Sequence, residues 1–179
     1  MKSISNSKAL SQQRGAALVV ALIMLLVMTV LGITAMQVTR MEERMAGNSR
    51  DINLAFQGAE AGLRDGEDRI AAMTTRPLPC SAAPCAVWRR DFLAQDLRDQ
   101  LIGWWNTNGT EYGVAGTPEL TEITRDPIVV TESLGFVPDS LSIGHGPPEG
   151  RDFYRVTATS TGASDTANAV LESTYTRRY

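Results

Sequence analysis

The chain has 179 residues, 43% of them hydrophobic, with 17 bases against 20 acids and a formal net charge of −3. That length suits one globular domain, but much of the apolar content lies in the first 36 residues, leaving about 140 for one modest core. A mildly acidic body lacks the basic face that nucleic acids require, so no nucleic-acid partner is expected.

Met1 to Arg14 carries Lys2, Lys8 and Arg14 and no acid. Without it the formal charge moves from −3 to −6, because 14 bases then face 20 acids. From Ala16 to Met36 the only polar side chains are Thr29 and Thr34. At about 1.5 Å per residue this stretch makes a helix roughly 31 Å long, matching a ~30 Å hydrocarbon core. The basic flank predicts a cytoplasmic N-terminus and export of everything after Met36.

Gln37 to Thr75 has no proline and is rich in Ala, Glu, Arg, Met and Leu, all good helix formers. Ile52, Ala55, Phe56, Ala59, Leu63, Ile70 and Met73 recur at helical spacing as one apolar stripe. Glu60 with Arg64, Arg64 with Asp68, and Asp65 with Arg69 can pair along the exposed side. The spacing therefore predicts one helix from about Ala16 to Thr75, membranous and then amphipathic, ended by Arg76-Pro77-Leu78-Pro79. Gly32, Gly47, Gly58, Gly62 and Gly66 run against helical preference. Gly58, Gly62 and Gly66 share a face, which admits close packing either of the exported sheet or of a neighbouring helix. Gly47-Asn48-Ser49 could mark a local break.

Cys80 and Cys85 both follow the span, and in an oxidising compartment they are expected to form a disulfide closing a small loop. A redox or metal pair would need neighbouring Cys or His ligands, which the sequence does not offer. Phe92, Leu93, Leu97, Leu101 and Trp104 suggest a helical stretch around Trp88 to Trp105, with Trp88 in the core and Arg89 and Arg90 solvated. Asn106 to Glu119 reads as loop. Leu120 to Glu132, with Ile123, Ile128, Val129 and Val130, is a candidate strand, and Gly144 to Gly150 is a turn cluster. Phe153 to Thr159 and Ala167 to Tyr175 alternate across Ser-, Thr- and Gly-rich turn residues and read as an antiparallel hairpin. The expected fold is α+β: a long N-terminal helix packed on a small antiparallel sheet.

Chemistry-bearing motifs are missing. His145, the sole histidine, sits in the turn cluster without cysteine or paired carboxylates and reads as a solvated loop residue. There is no nucleophile elbow, phosphate-cradling loop or calcium loop. Asn108-Gly109-Thr110 matches a glycosylation acceptor by letters alone. The expectation is a non-enzyme with no catalytic residue, metal or cofactor.

The basic leader, Gly15 and the uninterrupted apolar helix resemble the class III signal of type IV pilins and type II secretion pseudopilins. Three further segments narrow this: Arg14 to Leu22, Glu43-Arg44-Met45-Ala46-Gly47-Asn48, and Leu54 to Arg64 with Gly66-Glu67. Together they resemble the N-terminal region of PilX-type minor pilins. The terminal strand pair, ending in Ser173-Thr174-Tyr175, is similar to that family as well.

The resemblance implies cleavage by a prepilin peptidase between Gly15 and Ala16, with Ala16 as an N-methylated new terminus. It implies residues 1–15 as leader, 16–36 as the transmembrane or filament-core half of the helix, 37–75 as the amphipathic half, and 76–179 as a periplasmic domain. Pilins usually carry glutamate at the fifth mature position, where it neutralises a neighbour's N-terminal amine; here that position is Val20. A subunit with no neighbour above it needs no such carboxylate, so Val20 fits a filament tip. The function implied is a minor pilin that primes assembly, is incorporated at or near the tip, and supports twitching motility and adhesion. Partners implied are other minor pilins, the major pilin, the inner-membrane assembly platform and a tip adhesin. The other readings are a type II secretion minor pseudopilin, a single-pass periplasmic enzyme or binding protein, and a secretory signal cut near Ala35.

Overall fold

The structure, a computed structural model, describes residues 13–90, 93, 96–113, 120–139 and 149–179. Helix α1 spans Gln13–Ala72, with Gly47 inside it. It stops three residues before the expected Thr75. The last turn tightens there: Met73 donates its N–H to the Ile70 carbonyl at 3.2 Å, and the Arg177 guanidinium donates to the same oxygen. These bonds satisfy a carbonyl that a helix end would otherwise leave open.

Two compact units are present, one ending at Gly47 and the other Asn48–Tyr179. In the first, every residue from Gly15 onward is exposed, including Leu18, Leu22, Leu25 and Val30. From Ala16 to Met36 the helix is apolar on all sides, and it is long and apolar enough to cross a membrane. The two threonines of that stretch are satisfied within the helix. Thr29 donates to the Leu26 carbonyl at 2.8 Å, and Thr34 donates to the Leu31 carbonyl at 2.9 Å. Neither hydroxyl therefore needs a partner from lipid.

The second unit is built on a four-stranded antiparallel sheet in the order β1 (Thr110–Glu111), β2 (Ile128–Pro138), β3 (Gly150–Thr161), β4 (Asn168–Arg177). The fold is α+β, with α1 packed on this sheet. Alternation along the strands divides the core in two. Val129, Tyr154, Val156 and Ala158 meet Ile70 of α1 and Val87 on one face. Ile128 and Val130 meet Trp88 and Trp105 on the other. The β2–β3 register shifts between Ser133 and Gly135, where Gly135 has φ +114°. A side chain would be strained in that backbone, which accounts for glycine at the bulge.

The middle of the chain departs from expectation. Trp88 to Trp105 is not a helix. Trp88 lies in an extended segment bridged to Cys80 and Glu132, and among the described residues of the stretch only a short 3-10 turn (Leu97–Asp99) and α2 (Ile102–Asn108) are helical. Phe92 lies outside the described residues. The candidate strand from Leu120 is a turn as far as Pro127 and becomes strand only at Ile128. There Asp126 accepts the Leu120 N–H at 3.0 Å, closing the turn. Strand β1 falls within the stretch read as loop. The terminal hairpin is present and longer than expected, since β3 and β4 pair continuously from Asp152↔Arg177 to Thr161↔Asn168.

Candidate functional site

Gly15, Ala16 and Val20 all lie in the exposed first part of α1. A Cβ on Gly15 would meet nothing within 4 Å. Among the described residues none packs against this junction.

Gly58, Gly62 and Gly66 lie against the sheet. A Cβ on Gly66 would come within 2.6 Å of Val156 and 2.7 Å of Val129, and one on Gly62 within 2.9 Å of Pro127 and 3.2 Å of Ala158. One on Gly58 would strike the Ser160 side chain. On the same part of the helix Ala55 and Ala59 are fully buried. The small residues let the helix backbone approach β2 and β3 closely, and this chain's own strands occupy that face. On the outer side Arg69 pairs with Asp65 at 2.7 Å and Arg64 with Glu60 at 3.4 Å. Arg69 also donates to the carbonyls of Glu111 and Gly113, at 2.6 and 3.2 Å, and so ties the end of β1 to α1.

Asp51 is a contact that sequence reading missed. Its carboxylate accepts the Ser164 N–H at 3.0 Å and also the Ser164 hydroxyl. These two hydrogen bonds hold the carboxyl below its ordinary pKa of 3.8, against a smaller opposing effect of burial. Gly162, in the same β3–β4 turn, sits so near Asp51 that a Cβ there would fall on its carbonyl and carboxylate oxygens. Thr124 grips the turn from the other side, donating its N–H to Gly162 at 2.8 Å and its hydroxyl to Ala163 at 2.9 Å. The only advance sign was the Gly-Ala-Ser-Asp-Thr composition of that turn.

Cys80 and Cys85 are joined in a disulfide. The loop it closes leads directly into Val87 and Trp88, whose side chains enter the two halves of the core. Cys80 donates its N–H to Val87 and Arg89 returns one to Cys80, both at 3.0 Å. Trp88 in turn donates to Thr131 and accepts from Ser133, both at 2.8 Å. The disulfide loop is therefore stitched to the outer edge of β2. The Trp88 indole N–H reaches the Asn108 carbonyl at 3.0 Å.

Two buried acids lie on the sheet. Asp152 pairs with Arg76 at 2.9 Å and Glu132 with Arg155 at 3.3 Å. Among the described residues no group of three or more His, Cys, Asp or Glu is placed to hold a metal. His145 lies outside the described residues.

The PilX N-terminal family matches residues 14–64, and the type IV pilus assembly protein PilX C-terminal family matches residues 60–177. The chain belongs to the PilX family of type IV pilus assembly proteins. The first match covers the Gly15 junction and the glycine face as far as Gly62, and the second covers the helix end, the disulfide loop and all four strands. No curated protein and no solved structure matches the chain. A PilX-family subunit is structural, and its chemistry is that of packing: an exposed apolar helix followed by a body clasped to the same helix.

Proposed function

We propose that this PilX-family chain is a minor pilin that primes type IV pilus assembly and is incorporated at or near the filament tip, in support of twitching motility and adhesion. Residues 1–15 form a cytoplasmic leader, removed by prepilin peptidase between Gly15 and Ala16, and Ala16 becomes the N-methylated terminus. The helix then anchors residues 76–179 on the periplasmic side until the subunit is drawn into a filament. There residues 16–36 exchange lipid for neighbouring helices, and apolar burial is kept throughout. Other minor pilins, the major pilin, the assembly platform and a tip adhesin are its partners.

The observation that carries the tip position is Val20. A carboxylate buried among apolar helices with no amine to neutralise costs on the order of several kcal/mol. Valine at that position avoids the cost in a subunit that has no neighbour above it. Mass spectrometry of protein from cells should show a chain starting at methylated Ala16, and a start at Met36 would sink the reading. A tagged subunit should label the ends of sheared filaments. Even labelling along their length would remove the tip assignment while leaving the N-terminus result untouched.

A further inference from the structure

The two edges of the sheet are finished differently. The edge at β2 is covered from Pro127 to Ser133: β1 pairs with Ile128 and Val129, Tyr112 donates to the Pro127 carbonyl at 2.8 Å, and Trp88 bridges Thr131 and Ser133. The edge at β4 carries no strand among the described residues. β4 is ten residues long, pairs with β3 without a register shift, and contains no proline or glycine. Glu172 is its only charge before Arg177. Soluble proteins usually blunt such an edge with charge, proline, a bulge or short length. This strand uses none of them along most of its length.

A groove of about 490 Å³ opens beside that edge, on the sheet face away from α1. Leu93, Leu97 and Val170 supply its apolar wall. Its charged lining is three carboxylates, Asp96, Glu132 and Glu172, against two guanidiniums, Arg98 and Arg155. Arg155 is shared, lying 3.3 Å from buried Glu132 and 3.5 Å from half-exposed Glu172. A second cation entering from the edge would relieve that sharing by taking Glu172, and its methylene stem would lie along the leucines.

We propose that β4 is a strand-addition site: an extended segment of a partner protein pairs its backbone with Asn168–Arg177 and places a lysine or arginine in the adjoining groove. Backbone hydrogen bonds supply the affinity and the groove supplies the selection, as in other strand-addition interfaces. The inference stands on the sheet edge and groove alone and does not depend on where in a filament the subunit sits.

The test uses the full chain in detergent micelles and three synthetic nine-residue peptides of alternating threonine and valine. One has a central lysine, one has glutamate there, and one has the lysine with alternate backbone nitrogens methylated. The lysine peptide should bind and slow amide exchange along β4. The glutamate peptide should bind about five- to ten-fold more weakly, and the methylated one should not bind. Glu172→Lys should invert the preference between lysine and glutamate. Absence of lysine-peptide binding at millimolar concentration, binding without slowed β4 amides, or equal binding of the methylated peptide would each overturn strand addition. A Glu172→Lys chain that still prefers lysine would overturn the role of the groove.

Discussion

Helix α1 is one continuous element with two kinds of surface. From Gly15 to Arg50 every residue is exposed, although most of the side chains as far as Met36 are apolar. From Asp51 onward the buried positions are small as far as Gly66, with Ile70 entering the core beyond them: Ala55 and Ala59 have no exposed surface, and Gly58, Gly62 and Gly66 lie against β2 and β3. In the first part hydrophobicity is held for a surrounding outside the chain. In the second, the lack of side chains is what the chain's own core requires. Hydrophobic content alone therefore ranks these two parts the wrong way round for burial within the subunit.

Glycine substitutions break that comparison most sharply, because adding a side chain has opposite signs in the two parts. Gly66→Val adds three carbons where Val156 and Val129 already leave less than 3 Å. It should destabilise the body at the upper end of roughly 1–3 kcal/mol, seen as a lower urea midpoint in tryptophan fluorescence. All three tryptophans, at 88, 104 and 105, lie in the body and report on it. Gly47→Ala meets nothing within 4 Å. It should gain up to ~1 kcal/mol of local helix stability, read as slower amide exchange near residue 47 with the urea midpoint unchanged. Equal effects of the two changes would show that the glycine face is not a packing seam.

The disulfide acts on the packed part only. Breaking it frees the six-residue loop that holds Val87 in the core beneath α1. The Cys80→Ser, Cys85→Ser double variant should lose about 2 kcal/mol by the loop-entropy estimate. Amide exchange in the first part of α1 should stay as it was. A midpoint equal to that of the unaltered chain would mean the backbone bonds from Trp88 to Thr131 and Ser133 hold the loop without help.

How far the fold could be read from the residues follows the same division. The N-terminal helix and the β3–β4 hairpin were legible because their periods run uninterrupted over many residues. Leu93, Leu97 and Leu101 fall at helical spacing by coincidence, so the stretch from Trp88 to Trp105 reads as a helix. Leu93 and Leu97 pack against one side of the sheet core, Leu101 is exposed, and Trp88 is held extended by its bonds to β2. Ile123 reads as a strand residue, but Asp126 turns the chain back on Leu120 before β2 begins. Gly58, Gly62 and Gly66 could be placed on one helix face, yet only coordinates show that this chain's strands fill it. Asp51 and Ser164 are 113 residues apart and neither belongs to a motif. A single hydrogen-bonded pair at that separation leaves no periodic trace.

That pair gives the smallest and most local effect. From Gly15 onward Asp51 is the first residue of α1 that is not exposed, so its bonds to Ser164 mark where the packed part begins. Because the folded carboxyl is held below its ordinary 3.8, the ionised form favours the folded state. The contribution is complete above the unfolded value, through neutral pH. It is lost as pH falls below about 4 and passes the lowered folded value. Asp51→Asn keeps a carbonyl acceptor but removes the charge, so it should lower the urea midpoint slightly at pH 7, and the difference should shrink as the pH falls below about 4. Amides from Asn48 to Ala55 should exchange faster in the variant at pH 7, and those around Gly66 should not. If the midpoint difference persisted undiminished at low pH, the clasp would depend on shape and not on the charge of Asp51.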